Sequence, residues 1–137
     1  MKRILILILV LTFLAGCGSQ DVHPLMTLNA PDQILRELAL GNAEGAMAPF
    51  GSDVRNADLK RQLEDYALLI NGRAPDHCDC VRYERSGSIE ERNYEETTCF
   101  EITLEDGAVL YAICRHSETS ERIGLISFEL YTECPWE

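Results

Sequence analysis

Cys99-Phe100-Glu101-Ile102-Thr103-Leu104-Glu105-Asp106-Gly107-Ala108-Val109-Leu110-Tyr111-Ala112-Ile113-Cys114 is the stretch that decides the fold. On both sides of Asp106-Gly107, residues alternate with a period of two, the mark of a strand with one buried face. Asp-Gly suits a tight hairpin turn, because its backbone enters the left-handed region without strain. Taken as a two-residue loop, Asp106-Gly107 sets Glu105 against Ala108, Leu104 against Val109, Ile102 against Tyr111 and Phe100 against Ile113. All six larger apolar residues then share one face, and a slip of one residue would scatter them. The same count sets Cys99 directly opposite Cys114, with Cα atoms about 4.5–5.5 Å apart, within the span of a disulfide. The expectation is a Cys99–Cys114 disulfide, with Cys134 paired to Cys78 or Cys80.

Downstream, a polar link leads to a further strand over Arg122 to Tyr131, with Gly124, Ile126, Phe128 and Leu130 on one face. Upstream, Cys80 to Arg85 is a weaker strand candidate, and the acidic run Ile89 to Glu96 reads as loop or as the solvated start of the next strand. Before it the period becomes helical. Pro31 suits a first turn, and Ile34, Leu35, Leu38 and Ala39 form one stripe behind it. Asn42 offers a cap to a short helix carrying Ala46, Met47 and Phe50. A third helix starts near Asn56 or Asp58, places Leu59, Leu63, Tyr66 and Ile70 on one face, and stops at Asn71-Gly72. Helices followed by a meander imply an α+β fold, with the N-terminal helices packed on a curved, cone-like antiparallel sheet.

At the N-terminus, Met1-Lys2-Arg3 precedes an apolar run from Ile4 to Ala15. A cationic start, a short apolar stretch and small residues at its end make a secretory signal. The run is too short for a membrane-spanning helix, which needs about 20 residues. Leu14-Ala15-Gly16-Cys17 resembles the lipobox of bacterial lipoprotein precursors. That resemblance implies lipidation at Cys17, a signal over residues 1–16, a lipidated tether over 17–30 and a single domain over 31–137. It also implies attachment to a bilayer through two or three acyl chains, in the cell envelope. Gly18 after the cysteine favours the periplasmic face of the outer membrane in a Gram-negative source. Of the 12 basic residues, loss of Lys2 and Arg3 leaves 10 against 23 acidic ones, a formal charge of −13. Such a surface repels phosphate backbones and excludes nucleic acid as a partner.

The element order and the phrase Leu38-Ala39-Leu40-Gly41-Asn42-Ala43-Glu44-Gly45-Ala46-Met47-Ala48-Pro49-Phe50 resemble small exported lipoproteins of the nuclear-transport-factor-two-like superfamily. In that superfamily two helices, the first ending in a Gly-Asp or Gly-Asn step, precede a cone-shaped sheet. The chain departs from the pattern in its dense cysteines and in showing no strand between the helices. The superfamily holds both enzymes of the ketosteroid-isomerase kind and non-catalytic binding proteins, so the inward face must discriminate.

The inward positions are expected to be Phe100, Ile102, Leu104, Val109, Tyr111, Ile113, Ile126 and Phe128, of which only Tyr111 carries a polar atom. Phe100, Ile102, Tyr111, Ile113 and Phe128 are the candidates for lining a ligand pocket. Without a carboxylate or histidine there, no general base is available, and the expectation is a non-catalytic binding or accessory domain with no cofactor. Its partner would be an envelope protein or a small apolar ligand. Asp76-His77-Cys78-Asp79-Cys80 is the one cluster of metal-type ligands and supports the alternative of metal binding through Cys78 and Cys80. Yet Cys-x-Cys lacks a second paired motif, and export favours disulfides. His23, His116 and the pairs Glu90-Glu91 and Glu95-Glu96 read as solvated, and Trp136 as a hydrophobic latch.

Overall fold

Three helices precede four strands in a computed structural model that describes residues 27–137. The export signal, Cys17, His23 and most of the expected tether lie outside the described residues. Helix α1 (Ala30–Ala39) carries Pro31 in its first turn, where a missing N–H is harmless, and buries Ile34, Leu35 and Leu38. The Asn42 side chain accepts the Gly45 N–H at 3.0 Å and so caps α2 (Ala43–Ala46). Helix α3 (Ala57–Ile70) starts where Asn56 accepts the Leu59 N–H at 2.9 Å and ends at Asn71, whose φ is 49°. Each of these caps satisfies a backbone group that a helix end would leave orphaned. Among the described residues, no helix is long and apolar enough to cross a membrane.

Strands β1 (Pro75–Ser88), β2 (Asn93–Leu104), β3 (Val109–Glu118) and β4 (Ile123–Tyr131) form one antiparallel sheet in that order. The fold is the expected α+β arrangement, with helices on one face of a curved meander. Bulges at Pro75/His77, Cys80/Arg82 and Arg115/His116 interrupt the ladder, each adding local bend and twist. One core joins Leu35, Leu38 and Leu63 from the helices to Phe100, Ile102, Leu110 and Phe128 from the sheet. Tyr66 packs edge-on against Phe128, with ring centroids 6.0 Å apart. Thr27 and Ala30, ahead of residue 31, are already buried.

The β2–β3 register differs from the expectation by one residue. The loop has three residues, Glu105-Asp106-Gly107, closed by Leu104 N–H to the Ala108 carbonyl at 2.8 Å and Gly107 N–H to the Leu104 carbonyl at 2.9 Å. Gly107 takes the left-handed position, φ 85°, as the three-residue hairpin with its bulge requires. The Asp106 carboxylate also accepts the Ala108 N–H at 3.0 Å. Thr103 therefore faces Val109, Ile102 faces Leu110, Phe100 faces Ala112 and Cys99 faces Ile113. In β3 it is Leu110, Ala112 and Cys114 that point at the helices, while Val109, Tyr111 and Ile113 lie on the other face. In β4 the bulge turns Leu125 inward with Phe128 and Leu130 and leaves Ile126 partly exposed. An added Cβ at Gly107 would meet nothing within 4 Å, so Gly107→Ala isolates the backbone term. It should lower stability by about 1 kcal/mol, as a shift in the urea midpoint.

The cysteine expectations change with the register. Cys114 faces Thr98 on the helix side, and Cys99 faces Ile113 on the open side, so the two side chains leave opposite faces of the sheet. Opposition was the basis for a Cys99–Cys114 disulfide, and it is lost. Cys78 and Cys80 sit on the helix side, opposite Ile102 and Phe100. Trp136 packs on Tyr111 of the open face, which carries the Cys134 segment away from both. All five described cysteines are free.

Candidate functional site

Beyond the apolar core, the helix side of the sheet turns polar. Tyr94, Glu96 and Thr98 share the parity of Phe100 and are buried, with Glu96 at 0% exposure. The register aligns Arg85, Glu96 and His116 in one row across β1, β2 and β3. One Glu96 oxygen accepts the Arg85 Nε–H at 3.1 Å and Nη2–H at 2.8 Å. The other accepts the Thr27 hydroxyl at 2.9 Å and the Thr27 N–H at 3.3 Å. Thr98 Oγ1 lies 2.6 Å from Thr27 Oγ1; since the Thr27 proton goes to Glu96, Thr98 is the donor there. A buried carboxylate is tolerable because each oxygen is paired, two of the bonds coming from a guanidinium.

Aromatic rings close the cluster. Tyr94 stacks on His116 with centroids 5.9 Å apart, and the Arg85 guanidinium lies 5.9 Å from the Tyr94 centroid. Burial and the neighbouring Glu118 push the Tyr94 hydroxyl up to about 12, so it stays protonated. His116 is 6% exposed and its Nδ1 has no hydrogen-bond partner. Burial lowers its pKa, against the opposing pull of Glu96 and Glu118. Between the lowered folded value and the ordinary 6.5, the unfolded chain binds the extra proton. Stability is therefore full above about pH 6.5 and declines as the pH falls below it. His116→Gln should flatten that decline between about pH 6.5 and 5, above the range where ordinary carboxylates titrate; thermal melts across the window check it.

Glu96 and His116 were expected in solvent, and both are buried. Adjacent strand residues point to opposite faces, so Glu95 is exposed while Glu96 is not. The usable signal was parity: Glu96 is in step with Thr98 and Phe100. His116 shares the parity of Cys114 in any register, and that parity faces inward with Glu96 and Thr98 only in the observed one.

The five pocket candidates do not come together. Phe100, Ile102 and Phe128 are wholly buried in the core, whereas Tyr111 and Ile113 sit on the opposite face. Hollows among the described residues lie elsewhere and are polar. One of about 400 Å³ is lined by Asp53, Thr119, Glu121 and Arg122. Another, of about 270 Å³, lies against Asn42, Glu44, Lys60 and Glu64. The metal-type cluster is split by the same alternation, with Cys78 and Cys80 inward. His77 lies outside beside Asp76 and Asp79, at 3.4 and 3.6 Å. Among the described residues, no group of three or more metal-type side chains converges. Burial also pushes the Cys78 thiol up to about 12 and keeps it protonated.

No protein-family model, curated protein or solved structure matches this chain. The chemistry of the buried cluster therefore carries the functional reading.

Proposed function

We propose that this chain is a lipid-anchored envelope protein whose domain binds a partner rather than catalysing a reaction. The observation that supports it is the saturation of Glu96. The inward face does hold a carboxylate and a histidine, but the two oxygens of that carboxylate accept four hydrogen bonds from Thr27 and Arg85. A general base must offer a lone pair to the substrate proton, and this one is committed to joining the chain's entry to the sheet. Lipidation at Cys17 accords with this role, because Thr27 lies only ten residues further on. At most about 35 Å of extended chain separates them, which would keep the domain close to the bilayer.

The open face, with exposed Glu95 and Glu101 beside partly exposed Tyr111 and Ile113, suits a basic protein partner. Kinship with the nuclear-transport-factor-two-like superfamily is supported by the element order. It is supported too by the Phe50–Leu125 bridge, a one-residue pairing between the sheet and the segment joining α2 to α3. An enzyme of the ketosteroid-isomerase kind is the second reading, favoured by the unpartnered Nδ1 of His116 beside Tyr94.

Metabolic labelling with a clickable fatty acid should mark the protein and lose the mark in Cys17→Ala; labelling that survives the change would defeat the anchoring claim. Native mass spectrometry of the released domain should find a bound protein partner. Turnover of a small substrate, lost in His116→Gln while the fold persists, would favour the enzyme instead.

A further inference from the structure

Among the described residues no helix lies over the open face of the sheet, yet Cys99 on that face is only 7% exposed. The C-terminal tail returns onto this face. Strand β4 ends at Tyr131, opposite Tyr111, and Trp136 turns back to meet the Tyr111 ring edge-on with centroids 5.6 Å apart. Residues 132–135 must therefore fold over the sheet beside Tyr111, and Cys134 lies within that return. Cys99 stands two residues along β2 from Glu101, the partner of Tyr111, so it is the diagonal neighbour of that ring. A thiolate at Cys134 would raise the pKa of both Tyr111 and Cys99, and one at Cys80 would also raise that of Cys99.

We propose that Cys99 and Cys134 are a dithiol pair that closes into a disulfide, latching the C-terminal tail to the open face. Of the two, the half-buried Cys134 is the thiol an incoming reagent reaches first. Its thiolate attacks a disulfide oxidant, either a small-molecule disulfide or the active-site disulfide of an oxidoreductase, and displaces one oxidant thiolate. A mixed disulfide results. The Cys99 thiolate then attacks the Cys134 sulfur and releases the second oxidant thiol. The protein loses two protons and two electrons, and the oxidant is reduced to two thiols. Burial raises the Cys99 pKa, which disfavours direct reaction with the reagent; its attack on Cys134 is intramolecular, so proximity offsets the small thiolate fraction. The functional reading enters only as the reason to expect an oxidising compartment; the pairing itself is a property of the folded chain.

The full chain carrying Cys17→Ala, treated with glutathione disulfide, isolates the five domain thiols. Titratable thiols should fall from five to three. Trypsin alone leaves Cys99 and Cys114 in one peptide, so a glutamate-specific protease is added. The unreduced digest should then contain the Cys99 peptide joined to the Cys134 peptide. Cys99→Ser and Cys134→Ser should each abolish that species. Phosphine reduction of the oxidised protein should increase quenching of Trp136 fluorescence by acrylamide, as the tail is released. Cys134 joined to Cys78 or Cys80, Cys99 joined to Cys114, or five alkylatable thiols in folded, treated protein would each overturn the proposal. None of these outcomes bears on lipidation, which fatty-acid labelling tests separately.

Discussion

Replacing Glu96 with alanine should destabilise the domain by about 3–5 kcal/mol, the usual consequence of removing one partner of a buried ion pair. Arg85 would face a cavity without the carboxylate its guanidinium now meets along one edge, and its side chain is only 21% exposed. The Thr27 N–H and hydroxyl would lose their acceptor in a buried setting. For a domain that retains about 5–15 kcal/mol in total, the melting temperature should fall by on the order of 10 °C. Glu95→Ala is the internal control. Its side chain points to solvent, and its effect should stay within about 0.5 kcal/mol. Equal effects at the two positions would show that the alternation through β2 is wrong. Joint replacement of Arg85 and Glu96 with methionine should recover part of the loss, because a matched apolar pair carries no desolvation penalty. That recovery in a double-mutant cycle separates the ion pair from simple loss of volume.

The helices were legible because their signals are local. Asn42, Asn56 and Asn71 cap and stop their helices through hydrogen bonds spanning three or four residues. The existence of the strands was legible from period alone. Their register was not, because Asp-Gly serves two-residue and three-residue loops alike, and the two differ by one residue in pairing. The expected register grouped the largest side chains on one face. The observed one instead sets the small Ala112 opposite Phe100, and the helices supply the remaining bulk of the core. That is a tertiary decision, outside the reach of a hairpin pattern. The polar cluster was hidden by the same slip. His116 joins Glu96 only once β3 is shifted, and Thr27 reaches Glu96 across 69 residues of chain. Arg85, at the end of a weak strand candidate, could have been matched to Glu96 only by knowing that β1 and β2 pair along almost their whole length.

Gly124→Val should cost about 3 kcal/mol or more. Its φ of 136° is a conformation that a β-branched residue adopts only under strain, worth roughly 1–3 kcal/mol. Space is the second obstacle. A Cβ at this position would lie 2.6 Å from the Gly51 nitrogen and 2.9 Å from the Phe50 carbonyl carbon, both backbone atoms that cannot rotate aside. Those atoms belong to the stitch that ties the chain between α2 and α3 to β4. Gly51 N–H donates to the Leu125 carbonyl at 2.9 Å, and Leu125 N–H donates to the Pro49 carbonyl at 2.9 Å. Making room for valine means stretching both bonds and shifting Phe50, which is 1% exposed. Overpacking of that kind adds about 1–3 kcal/mol to the backbone strain. The loss should appear as a lowered denaturant midpoint, together with faster hydrogen exchange at the Gly51 and Leu125 amides. An unchanged midpoint would mean that the approach of Gly124 to Gly51 is not close. A lowered midpoint with unchanged exchange at those two amides would place the damage outside the stitch.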